Sequence, residues 1–154
     1  MITLEAVTPA DMEAAAAQRG VNLPIEQTAV WAAYQADIEG RTPWGAYLVK
    51  RDGEVVAFIS LIDFETHGYH YLRSVHGPAW IAKPDEAEEL AVLDALREVV
   101  KSRDKHVAFL RVDTWFEAGT TQVLSTVPYD QTVVIDVTGG DDAILSRMKR
   151  RGSE

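Results

Sequence analysis

Charge is concentrated at one place where chemistry would be sought: Arg111-Val112-Asp113 closes an apolar stretch that begins at His106. In extended backbone alternate residues share a face, so Arg111 and Asp113 lie on the same side. At the end of a strand in an α/β sheet such a pair either floors a binding crevice or forms a local ion pair or cap. Other chemistries have less to stand on. The chain has no cysteine, which removes disulfide scaffolds, thiolate nucleophiles, iron–sulfur clusters and cysteine-based zinc sites. His67 and His70 are three apart in an extended segment, on opposite faces and without a third ligand, so they read as surface and rim histidines. There is no Gly-x-Ser-x-Gly elbow, and Ser60, Ser74, Ser102 and Ser125 have no histidine and acid arranged beside them. Trp31 and Gln35 share a helix face at i, i+4, where the tryptophan is expected in the core and the glutamine in solvent. Tyr69, Tyr71 and Trp80 either line an aromatic groove or belong to the core.

These residues need elements to position them, and the patterning supplies an order. Ile2–Val7 reads as a strand. Thr8-Pro9 then reads as a helix cap with proline in the first turn and Asp11 as its acidic partner, for a helix over Pro9–Gln18. Val30, Trp31, Tyr34 and Ile38 at helical spacing predict a second helix from Ile25 to Ile38, stopped by Gly40. Trp44–Arg51 and Glu54–Phe64 form a hairpin about Asp52-Gly53, and Tyr69–Val75 adds a third strand. A long helix begins near Pro84, with Leu90, Leu93, Leu96 and Val100 on one stripe, an acidic start and a basic end. His106–Asp113 is apolar enough to predict a central strand, Trp115–Val127 is irregular, Thr132–Val137 is a further strand and Asp141–Arg150 a short helix.

The expected fold is therefore α/β (α+β): three antiparallel strands, a helical crossover, and a strand pairing in parallel, giving a mixed sheet flanked by helices. That order resembles the GCN5-related N-acyltransferases. Enzymes of that fold seat the diphosphate of acetyl-CoA on a glycine-rich loop before the long helix. Here the loop is Ser74-Val75-His76-Gly77-Pro78-Ala79-Trp80-Ile81, with a single glycine followed by a proline that has no N–H. Asp85, Glu86, Glu88 and Glu89 follow, and they would repel a diphosphate. The order fits an acyltransferase whose coenzyme A loop is absent.

Several stretches resemble the FemABX family, the bacterial aminoacyltransferases that build peptidoglycan interpeptide bridges. They are Pro24–Trp31, Tyr71–Pro78, Phe109–Asp113, and above all Tyr129–Val137 followed by Ile144–Gly152, in order along nearly the whole chain. The Thr-Val-x-Ile-Asp and Met-Lys-Arg pair is the most specific part. The resemblance implies a first subdomain of the acyltransferase fold that helps to add an amino acid to the stem peptide of a UDP- or lipid-linked muropeptide. The donor is aminoacyl-tRNA, with no other cofactor, held largely by a second subdomain. It implies Asp113 as an active-site residue, Arg111, Trp31, Gln35, Tyr71 and Arg73 as substrate-binding residues, and no metal. Three positions depart from the pattern. A phosphate-binding lysine falls at Gln35, which can donate a hydrogen bond without the charge. A tyrosine falls at Ala108, and the proline after the active-site aspartate at Thr114.

Residues 1–138 correspond to that first subdomain. Residues 139–154 correspond to the start of a basic connecting helix, where Arg147, Lys149, Arg150 and Arg151 would serve tRNA or the connection, with the second subdomain absent. A chain of 154 residues is less than half the family's length, so it is expected to lack turnover by itself. A stand-alone acetyltransferase and a non-catalytic muropeptide-binding module are the alternatives. The net charge of −9 argues against a free-standing nucleic-acid binder. The longest apolar run, Val55–Ile62 broken by Ser60, is far short of the roughly 20 residues of a membrane span. No secretion signal is visible at Met1–Glu5, so a cytoplasmic place is expected, with the inner membrane surface as its closest association.

Overall fold

The computed structural model describes residues 1–121 and 133–148, which belong to two units, Met1–Thr121 and Gln122–Glu154. In the first unit β1 (Ile2–Val7) leads through Thr8, whose hydroxyl accepts from the Asp11 N–H, into α1 (Pro9–Gln18). β2 (Arg41–Arg51) and β3 (Glu54–Thr66) form the expected hairpin. Asp52 and Gly53 both take positive φ, 50° and 87°, as the tightest two-residue turn demands. β4 (Tyr69–Ser74) completes the antiparallel meander, and β5 (Ala79–Trp80), not foreseen from the sequence, returns to pair with β3. α3 (Glu86–Arg103) then crosses to β6 (Val107–Val112), which runs parallel to β4.

The strand order is β1-β2-β3-β4-β6, with β5 beside β3. Among the described residues β6 is therefore an edge strand and not the central one its apolar run predicts. One face of it packs towards the core through Val107, Leu110 and Val112, while among the described residues Phe109 on the other face meets Tyr71 and Tyr69 and no helix. Val92, Leu93, Leu96 and Val100 seat α3 on Tyr47, Val49, Ile59, Leu61 and Leu72. At roughly 1.5–3 kcal/mol for each fully buried aliphatic side chain, this stripe anchors the crossover. The stripe begins at buried Glu89 and not at Leu90, a shift of one residue that matters below. On the opposite face Met12 and Ala16 of α1 meet Ala46, Leu48 and Phe58.

The helix expected over Ile25–Ile38 is two elements. Ile25–Gln27 is a single 3-10 turn, and α2 (Ala29–Ala36) starts afresh at Thr28, whose hydroxyl accepts from the Trp31 N–H. The break exists because Gln27 is drawn inwards, as the site shows. In the second unit α4 (Gly140–Arg147) is shorter than the predicted Asp141–Arg150. Residues 133–137 pair with no strand among the described residues, and Val133, Val134, Ile135 and Val137 are exposed. Their β-branched composition predicts a strand, but composition alone supplies no ladder partner. Thr132 and residues 149–154 lie outside the described residues.

Candidate functional site

The site is built around a break in the sheet. β4 leaves β3 after the Ile62–Arg73 pair, and β5 rejoins it at Phe58, so Ser60, paired with Ala46 of β2 on one side, has no strand beside it on the other. Gln27, fully buried, fills the gap with its side-chain amide. Its Oε1 accepts from the Ser60 N–H at 2.8 Å, and its Nε2 donates to Ser74 Oγ at 3.0 Å and to the Val75 carbonyl at 2.6 Å. Ser74 Oγ in turn donates to the Ser60 carbonyl at 2.7 Å. Side chains thus take over the work of a ladder, and no polar group of the network is left wanting. Gly77 is required beside it: a Cβ there would lie 2.1 Å from Ser74 Oγ and 2.7 Å from Gln27 Nε2.

With Gln27 locked, its neighbours are aimed at a shallow cleft of about 70 Å³. Glu26, Trp31 and Gln35 line it from the helical side, and Ile62, Phe64, Arg73 and Val75 from the sheet, with Arg41 at the start of β2. Gln35 is buried and not solvated as the sequence predicts, because Arg41 Nη1 donates to its Oε1 at 2.9 Å. The same guanidinium lies 4.8 Å from the centre of the Phe64 ring. Neither Arg41 nor Arg73 forms a salt bridge among the described residues, so the cleft holds two guanidinium charges without a carboxylate partner. Beyond Phe64 the rings of Tyr71 and Phe109 continue a cross-strand stack, with centroids 5.3 and 4.8 Å apart.

The carboxyl ends of the two parallel strands meet at the rim. Arg111 is the register partner of Arg73 on the neighbouring strand. Of the readings open for Arg111 and Asp113, no ion pair between them forms among the described residues. Asp113 instead caps the β4–β5 loop: its Oδ2 accepts from the His76 N–H at 2.6 Å, while its own N–H donates to the Gly77 carbonyl at 3.0 Å. His76, at positive φ of 54°, sets its Nδ1 3.1 Å from Glu26 Oε2. The structure therefore gathers Trp31, Gln35 and Arg73 in one cleft, with Tyr71 two residues before Arg73 on β4, Arg111 beside Arg73 on β6, and Asp113 on the loop that follows β4. Arg147 belongs to the second unit, where its guanidinium bonds Asp136 at 2.7 Å and the Thr138 carbonyl. The Thr138 backbone and hydroxyl, donating to Asp136, hold that carboxyl below its ordinary range. Lys149, Arg150 and Arg151 fall outside the described residues.

Arg41, Glu26 and His76 are site residues that the sequence does not single out. Arg41 has a visible signal afterwards: it opens a strand directly after a glycine turn and is the register partner of Phe64. Glu26 and His76 are 50 residues apart in sequence and meet only because Gln27 pins the 3-10 turn to the end of β4.

The start of α3 is a contrasting place. Asp85 caps its own helix by accepting from the Glu88 N–H at 2.7 Å, and Glu88 pairs with Arg51 at 2.5 Å. Glu89 is buried and its two oxygens accept from the Trp115 and Phe116 N–H groups at 2.9 Å each. Lys83 lies over the Trp115 ring at 5.0 Å. Among the described residues no group of three or more His, Asp or Glu is placed to hold a metal ion.

No protein-family model and no curated protein matches the chain. Among solved structures it is similar to a GNAT-family acetyltransferase from Staphylococcus aureus, at 9% identity over 86% of this chain and 98% of that one, with a TM-score of 0.50. It is also similar to an acetyltransferase from Trypanosoma brucei, at 14% identity over 85% of this chain and 100% of that one, again with a TM-score of 0.50. At these identities the likeness carries the fold: a GCN5-related mixed sheet flanked by helices. The group that this fold implies is an acyl-coenzyme A, and the bend before α3 does not fit its diphosphate. The His76 N–H is spent on Asp113, Pro78 has none, the Glu88 N–H is spent on Asp85, and carboxylates crowd the first turn.

Proposed function

We propose that this chain is the acceptor-binding subdomain of an acyltransferase that joins an amino acid, carried as an ester on tRNA, to the amine of a peptidoglycan precursor peptide. The observation that carries the reading is the location of free positive charge. Arg41 and Arg73 face an open cleft beside the carboxyl end of β4, while the bend that would take a coenzyme A diphosphate is lined by acids. A UDP- or lipid-linked muropeptide is rich in phosphate and carboxylate. Guanidinium forks bind such groups through two parallel hydrogen bonds. Trp31, Ile62 and Phe64 supply apolar walls for the peptide backbone and methyl groups.

In this reading the cleft binds and orients, and the reaction gains chiefly from holding the amine next to the ester. Gln35 keeps Arg41 in place, restoring a cation near the position where the FemABX resemblance lacks its lysine. Asp113 holds the loop that carries His76. The donor is presented by a second subdomain, as the resemblance implies, and the precursor's chemistry places the reaction at the cytoplasmic side of the membrane. The test is calorimetric titration of the chain with a UDP-linked muropeptide and with acetyl-CoA. Micromolar binding of the muropeptide that falls at least tenfold in Arg73→Ala supports the reading. Turnover of acetyl-CoA with a small amine, with no muropeptide binding, replaces it by a stand-alone acetyltransferase.

A further inference from the structure

We infer that His76, its ring fixed by Glu26, takes the proton that the acceptor amine must lose before it can attack; the inference rests on the cleft being an acceptor site as read above. An amine arrives at neutral pH as an ammonium ion, and only its free lone pair is nucleophilic. A group that accepts this proton needs a pKa nearer to neutrality than a carboxylate has, and imidazole is that group. The chain has four histidines, and three are held elsewhere: His67 by Thr66, His70 by Asp63 and His106 by Asp104. Among the described residues His76 is the one histidine bonded to a residue that lines the cleft, and it directly follows another, Val75.

The geometry also sets which nitrogen is available. A carboxylate oxygen accepts, so in the contact with Glu26 it is His76 Nδ1 that donates, which makes Nε2 the lone-pair nitrogen of a neutral ring. The backbone of His76 is held independently by Asp113 at 2.6 Å, so ring and main chain are each anchored by a carboxylate. Asp113 and Glu26 are positioning residues here, and the imidazole is the catalytic one. The step balances as follows. The ammonium passes one proton to Nε2, and the freed nitrogen lone pair forms a C–N bond to the ester carbonyl carbon. The C–O bond to the ribose then breaks, and the departing oxygen takes the second proton from the nitrogen. One amide, one free hydroxyl and one imidazolium result, and the imidazolium returns its proton to water.

The experiment follows the imidazole nitrogens of the whole chain by ¹⁵N NMR during titration with two probes: a UDP-linked muropeptide with its stem-peptide amine free, and the same molecule with that amine acetylated. The expected result is an Nδ1-protonated His76 in the free protein. Both probes should bind with affinities within about threefold of each other, and only the free amine should shift the Nε2 resonance. In Glu26→Gln the Nε2-protonated tautomer should gain at the expense of the other. Binding of both probes with no response at Nε2, or an Nε2-protonated ring in the unaltered protein, overturns the role of His76 and leaves the acceptor site standing. Binding of neither probe overturns the acceptor site, and the role of His76 with it.

Discussion

Two places on this molecule compete to hold an anion, and they are built in opposite ways. The first turn of α3 has the helix dipole in its favour, worth roughly 0.3–1 kcal/mol for a nearby negative charge. Its own side chains have already taken that advantage. Asp85 caps it, Glu88 pairs with Arg51, and Glu89 is buried as the acceptor for the 115–116 backbone. The cleft beside α2 holds two guanidinium groups, and among the described residues neither is paired with an acid: its one lining carboxylate, Glu26, is turned to His76. An anion approaching α3 meets charges of its own sign, and one approaching the cleft meets forks with donors to spare. Side-chain charge decides the matter over backbone dipole.

That contrast can be broken most sharply by reversing the charge in the cleft. Arg73→Glu should weaken muropeptide binding by more than a hundredfold in calorimetry, the loss of about two charge-assisted hydrogen bonds plus new repulsion. The same reversal at Glu86, on the solvent side of the α3 turn, should leave that affinity within about twofold.

Next in size is the frame of the cleft. Gln27→Leu removes both the oxygen and the NH2 of the side-chain amide from a buried network and leaves the Ser60 N–H unpaired, which should cost about 2–3 kcal/mol in urea unfolding. Affinity for the muropeptide should fall as well, because Glu26 and Trp31 lose their anchor. The α3 side gives the counterpart. Glu89→Gln keeps the shape but can accept only one of the two N–H bonds well, for a loss of about 1–2 kcal/mol with unchanged muropeptide affinity.

The smallest effect is a dependence on pH. The hydrogen bond between His70 and Asp63 raises the His70 pKa above the ordinary value of 6.5, against the opposing effect of burial. A raised imidazole pKa contributes stability that is fully present below the unfolded value and is lost as pH rises through the folded one. Unfolding midpoints should therefore decline as pH rises from the ordinary value of 6.5 through the raised one, and Asp63→Asn should flatten that part of the decline.

The sequence reveals local structure well and inward-turned polar groups poorly. Thr8, Asp52-Gly53 and the acidic start of α3 announce α1, the hairpin and the crossover, because caps and turns are decided by the few residues that form them. Gln27 and Glu89 defeat such reading. Each is a polar residue whose surroundings come from distant segments, Ser60 and Ser74 for one and Trp115 and Phe116 for the other. Burying Gln27 splits the expected helix at Thr28, and burying Glu89 moves the α3 stripe off Leu90. The site shares that fate. Trp31, Gln35 and Arg73 can be proposed one by one, but their convergence with Arg41 depends on a break in the sheet that has no sequence signature.

The most direct test maps where an anion sits. Titration of the chain with a UDP-linked muropeptide, and separately with coenzyme A, can be followed through the Nε resonances of Arg41 and Arg73 and the backbone amides of residues 76–88. The account predicts that the muropeptide moves both arginines and leaves the amides of Glu86 and Glu88 in place, and that coenzyme A moves neither set at millimolar concentration. Saturable shifts at the 76–88 amides with coenzyme A, with the two arginines unmoved by the muropeptide, would contradict it.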